Sequence, residues 1–77
     1  MVKTQNIDVD KLAEVRKRAA IKTSRFCYEM GVSRQSFYNK CKGKTQFRMS
    51  EVFVMATLLG LSDEDKNAIF FPEKVNL

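Results

Sequence analysis

Gly31, Val32 and Ser33 stand between two short stretches of helical periodicity, and this triplet constrains the fold more than any other feature of the 77-residue chain. A glycine after Met30 suits the left-handed residue on which helices commonly end. Ser33 is a preferred N-cap, because its hydroxyl accepts from an orphan amide of the next turn. Val32 before that cap and Phe37 four residues after it have the spacing of a hydrophobic staple. The pattern predicts two short helices held at an angle by a turn of about three residues. The second of these, residues 34–42, offers Arg34, Gln35, Ser36, Asn39 and Lys40 on faces that its apolar residues leave over. No acid occurs between Glu29 and Glu51. A helix that is rich in amides and free of negative charge suits a DNA groove, where base edges present donors and acceptors.

The net charge of +5 is unevenly spread. Residues 34–48 hold five basic side chains and no acidic one, whereas residues 49–77 hold two basic and five acidic. A basic middle segment is the electrostatic footprint of a polyanion binder, although a merely solvated basic face reads the same charge as well. A chain this short makes one domain, 1–77, near the lower size limit for a core without staples. It has no apolar run of about 18 residues for a membrane span, and its first ten residues lack the apolar stretch of a secretory signal. Cys27 and Cys41 are therefore expected as free thiols in a reducing cytoplasm, packed as small core hydrophobes. With no His and no Cys-x-x-Cys, no metal site and no cofactor are expected.

Taken in order, residues 1–7 read as a flexible lead. Asp8 or Asn6 caps a first helix whose stripe is Val9, Leu12, Val15 and Ala19, ending near Ala20. Arg16 adjoins that stripe, and half-burial against a carboxylate is preferred over a DNA contact. Ile21 plugs the core, and Thr23 or Ser24 caps the second helix, which turns Phe26, Cys27 and Met30 inward. Gly43 ends the third helix. Gly43-Lys44-Thr45 resembles the tail of a phosphate-binding loop, but Tyr38 stands where that motif needs its first glycine. Phe47 turns inward ahead of a fourth helix, begun by Arg48 or Ser50. That helix is apolar on most sides and is expected to be the central buried one. Gly60 closes it. Ser62 caps a fifth helix, which Pro72 stops, and 72–77 form a C-terminal extension.

These residues carry a family resemblance. Over residues 9–62 the chain resembles the lambda-repressor/Cro type of helix-turn-helix domain, also called the Xre type, and is most similar to small phage and prophage members. The resemblance lies in Leu12 with Val15-Arg16, the Phe26-Cys27 pair, Met30-Gly31-Val32-Ser33, Arg34-Gln35-Ser36-Phe37, Gly43-Lys44, and Leu58-Leu59-Gly60-Leu61-Ser62. It implies an all-α, compact five-helix domain in which helices 2 and 3 form the helix-turn-helix. It also implies sequence-specific binding of double-stranded DNA by a repressor or Cro-like regulator, cytoplasmic and nucleoid-associated. Base reading falls to Arg34 and Gln35, with Ser36 and Asn39 beside them. Phosphate contacts fall to Thr23, Ser24, Ser33, Tyr38, Lys40, Lys42 and Lys44. Three departures stand out: Thr23 where Gln is common, Cys27 for the usual Ala, and Cys41-Lys42 for the frequent Glu-Asn. The last removes the acid that the family sometimes pairs with the helix-one arginine, which leaves Glu14 or Glu51 as the partner expected for Arg16.

Two other function classes compete with this one. A protein-binding adaptor would use the same fold to dock a repressor or toxin through an apolar helix-three surface. An enzyme is disfavoured, because nothing pairs a nucleophile with a base, and no catalytic residue or small-molecule substrate is expected. The apolar cluster Ile69, Phe70, Phe71, Val75 and Leu77 suggests a homodimer formed through the C-terminal end. The competing account is that Phe70 and Phe71 cap the monomer core.

Overall fold

The structure is a computed structural model that describes residues 7–72. Five helices follow one another: α1 (Val9–Ala19), α2 (Thr23–Met30), α3 (Arg34–Cys41), α4 (Met49–Leu59) and α5 (Asp63–Phe70). No strand occurs among the described residues, so the fold is all-α.

The helix ends follow from local chemistry. The side chain of Asp8 accepts from the backbone N–H of Lys11 at 3.1 Å, Ser33 accepts from Ser36 at 3.1 Å, and Ser62 accepts from Asp65 at 3.1 Å. Gly31 and Gly60 end α2 and α4 in left-handed geometry, and each is followed by an apolar residue and then a capping serine. The same Gly-x-Ser punctuation thus separates α2 from α3 and α4 from α5. One start differs from expectation, and one of two candidates is selected at another. Lys22, not Thr23 or Ser24, occupies the N-cap of α2 and supplies no side-chain bond. Arg48 is the N-cap of α4, and its N–H is accepted by Glu51 Oε1 at 2.8 Å. That is half of a capping box, because an arginine side chain has no acceptor with which to return the bond.

The core is built from Leu12, Phe26, Phe37, Val52, Met55, Ile69 and Phe70, all essentially without solvent contact. Phe26 and Phe37 stack at 5.4 Å between centroids, which joins α2 to α3. Phe47 plugs the connection before α4 as expected, and its ring meets Phe70 edge-on at 5.2 Å. Burying rings of this size supplies much of the apolar stabilisation open to a small domain.

Three expectations need correction. The flexible lead does not reach residue 7: Ile7 is buried, because the N–H of Asp8 donates to Ile69 O at 2.8 Å and draws it onto α5. Residues 1–6 lie outside the described residues. Second, α4 packs against α1, α2 and α5 but leaves one face open, with Met49 and Phe53 each more than half exposed. Its apolar positions outnumber its neighbours. Third, part of the apolar surface that suggested a C-terminal dimer is internal. Ile69 and Phe70 are fully buried and Phe71 is half-buried, while Val75 and Leu77 lie outside the described residues.

Candidate nucleic-acid interface

The burial of Phe37 decides how α3 faces the rest of the molecule. With Phe37, Lys40 and Cys41 turned inward, Arg34 and Gln35 are exposed, and Ser36 and Asn39 are half-exposed beside them. Gln35 Nε2 donates to Asn39 Oδ1 at 3.2 Å, so the two amides lie one helical turn apart on the same surface. That bond leaves the Gln35 carbonyl as an acceptor and the Asn39 amide nitrogen as a donor. Beside the Arg34 guanidinium, the face carries the donors and acceptors needed to bond base edges.

The end of α3 turns sharply. Its last helical residue is Cys41 and its cap is Lys42, one residue short of the expected end. Gly43 then takes φ +83°, while the N–H of Lys44 donates to Asn39 O at 2.9 Å. Lys42 and Lys44 therefore stand exposed beside the last turn. Ser24 and Ser33 are also exposed. Thr23 and Tyr38 are half-buried, and their hydroxyl oxygens lie 3.5 Å apart, which brings the start of α2 to the flank of α3.

Lys40 does not belong with these residues. Its Nζ lies 3.1 Å from Glu51 Oε1 and donates to Gln46 O at 2.9 Å, and nine-tenths of its side chain is buried. It is withdrawn from any phosphate by a carboxylate beyond the connection. Four exposed cations remain in the acid-free stretch: Arg34, Lys42, Lys44 and Arg48. None of them pairs with a carboxylate among the described residues. Arg48 was expected as a candidate helix start and as the end of a basic connection, Gly43 to Arg48, but not among the individual phosphate-contacting residues. Its place within the acid-free run was the signal that it could serve the same surface.

The expected partner of Arg16 is also corrected. Glu14 pairs with Arg18 at 3.6 Å and Glu51 with Lys40, so neither serves Arg16. Its guanidinium lies instead over the Phe37 ring, 5.0 Å from the centroid. Behind the interface, burial pushes the Cys41 thiol up to about 11, against the opposing charge of Arg16. A thiol so held stays neutral and unreactive at ordinary pH. Cys27, by contrast, is only half-buried.

Among the described residues, no three His, Cys, Asp or Glu side chains group as metal ligands, and no helix is long and apolar enough to cross a membrane. Compared with protein-family models, with curated proteins and with solved structures, the chain matches none.

Proposed function

We propose that the chain is a sequence-specific double-stranded DNA-binding domain of the lambda-repressor/Cro type and regulates transcription, with α2 and α3 as its helix-turn-helix. The observation that carries this reading is the exposed face of α3. It offers Arg34, Gln35 and Asn39 beside the exposed cations Lys42, Lys44 and Arg48, within a run from residue 30 to 50 that has no acid. In this mechanism α3 enters the major groove. Arg34 and Gln35 bond base edges, with Ser36 and Asn39 next to them. Lys42 and Lys44 neutralise phosphates and set affinity without reading sequence, and in this reading the hydroxyls of Thr23, Ser24, Ser33 and Tyr38 add contacts to phosphate oxygens. Occupying a promoter then excludes polymerase. The reading assigns no catalysis, cofactor or small-molecule substrate, and it places the protein at the nucleoid. An adaptor docking through α3 has less support, because Phe37 is fully buried and Tyr38 half-buried, which leaves α3 little apolar surface.

Selection of bound sites from a random duplex pool tests the proposal. A defined motif is expected. Arg34→Ala and Gln35→Ala should each relax preference at particular base pairs, costing about 1–3 kcal/mol there. Lys42→Ala or Lys44→Ala should weaken all sequences alike and lower the salt slope by about one unit. If Arg34→Ala selects the same motif as the wild type, α3 is not the reader. Binding without any salt dependence would return the adaptor reading.

A further inference from the structure

Arg16 is the one described residue with a buried side-chain nitrogen or oxygen that meets no hydrogen-bond partner: its Nε is enclosed and unbonded. The guanidinium lies against the π face of Phe37, a contact that attracts the charge but accepts none of its in-plane N–H bonds. A guanidinium drawn halfway out of water without a counterion is costly to hold, and the carboxylates within its reach in sequence are taken by Arg18 and Lys40. It borders a crevice of about 180 Å³ between α1 and α3. Leu12 and Ala13 form one wall and Tyr38 and Cys41 the other, with Lys42 at the edge. Two cations therefore border a slot that is otherwise mostly apolar and contains no acid.

We propose that this crevice is an oxyanion site, with Arg16 and Lys42 as its cations, and that its ligand is a backbone phosphate of the DNA read by α3. The proposal rests on the DNA-binding reading above. The planar fork of an arginine matches two oxygens of a phosphate, and Lys42 adds a point charge from the neighbouring element. A duplex phosphate is favoured over a protein carboxylate by position. The crevice flanks the helix assigned to the groove, and phosphates flank the groove on either side. Arg16 then adds a contact from α1 to an interface otherwise drawn from α2, α3 and the connection to α4.

The test compares duplex binding by the wild type, Arg16→Met and Arg16→Lys over a range of salt, with thermal melts alongside. Methionine keeps an unbranched apolar stem over Phe37 and removes the charge. Arg16→Met is expected to weaken selected and unrelated duplexes by the same factor, about tenfold, and to make the salt slope shallower by about one unit. Arg16→Lys should keep the slope. On the wild type, inorganic phosphate should shift the Arg16 Nε–H resonance, and less so in Lys42→Ala. A lowered melting temperature with an unchanged salt slope would overturn the proposal and leave Arg16 a packing residue. If the wild type shows no salt-dependent duplex binding, the DNA reading itself fails. A phosphate shift at Arg16 would in that case keep the oxyanion site with a free anion as its ligand, and no shift would remove the site altogether. Saturation of the same resonance by polyglutamate but not by duplex would replace phosphate with an acidic protein.

Discussion

Ala20 ends α1 at φ 57° and ψ 36°, the only non-glycine residue with positive φ among those described. An L-residue pays about 1–2 kcal/mol for that geometry, whereas Gly31 and Gly60 adopt it cheaply at equivalent ends. Ala20→Gly should therefore stabilise the domain by about 1 kcal/mol and raise its melting temperature by several degrees, after allowing for the greater freedom of glycine in the unfolded chain. Gly31→Ala should cost about the same in the opposite direction. Nothing lies within 4 Å of the added methyl, so the penalty would be purely one of backbone. Cys41 gives a second test at this scale. Its folded thiol ionises near 11 and the unfolded one near 9.0, so below pH 9 both states keep the proton and the contribution to stability is complete. Between those values only the unfolded chain loses it, and stability falls by on the order of 2–3 kcal/mol over the whole window. Urea titrations of the wild type and Cys41→Ala from pH 8 to pH 11 should converge; parallel curves would show that burial does not hold the thiol neutral. The positions of Gly31, Ser33 and Ser62 were legible in sequence because caps are local chemistry. The strain at Ala20 was not, since nothing in the sequence marks an alanine as left-handed.

Helix packing depends on a tie that sequence spacing did not reveal. No backbone of α3 packs closely on α4, yet the stem of Lys40 crosses the gap to Glu51, which also accepts the first N–H of the α4 cap. One carboxylate thus serves both α3 and the start of α4. Removing either member leaves the other charge buried alone, at a cost of about 3–5 kcal/mol, whereas replacing both with apolar residues of like volume is far less damaging. Chemical denaturation of Lys40→Met, Glu51→Met and the double variant should show this non-additivity. A double variant as unstable as the sum of the singles would mean that the pair is not coupled. The acid-free run suggested that all its lysines face outward, because charged residues are seldom buried. The exception depends on a partner beyond the reach of helix-face rules, which compare residues three or four apart. The open face of α4 was hidden for a related reason: periodicity counts apolar positions, not the helices available to cover them. Phe53 is instead partly shielded by Lys66 of α5, whose Nζ stands 4.9 Å from its ring centroid.

At the scale of the molecule, basic and acidic residues are segregated along the chain, with α3 and its connection cationic and the first turn of α5 carrying Asp63, Glu64 and Asp65. If DNA is the partner and four phosphates are contacted, affinity should drop by about two orders of magnitude between 50 and 200 mM salt. Fluorescence anisotropy of a labelled duplex would measure the drop, and a flat response would rule out phosphate neutralisation. Overall architecture was readable from sequence because each helix carries its own start and stop. How the start of α1 is tied to α5 was not, because it depends on one long-range bond. The N–H of Asp8 precedes every helix, yet it is held by the carbonyl of Ile69 near the end of the last one. That amide can meet solvent deuterons only when α5 lifts away from the start of the chain. In a hydrogen-exchange experiment it should be protected nearly as long as the amides of the core, so that a position at the very beginning of the fold reports the opening of its other end.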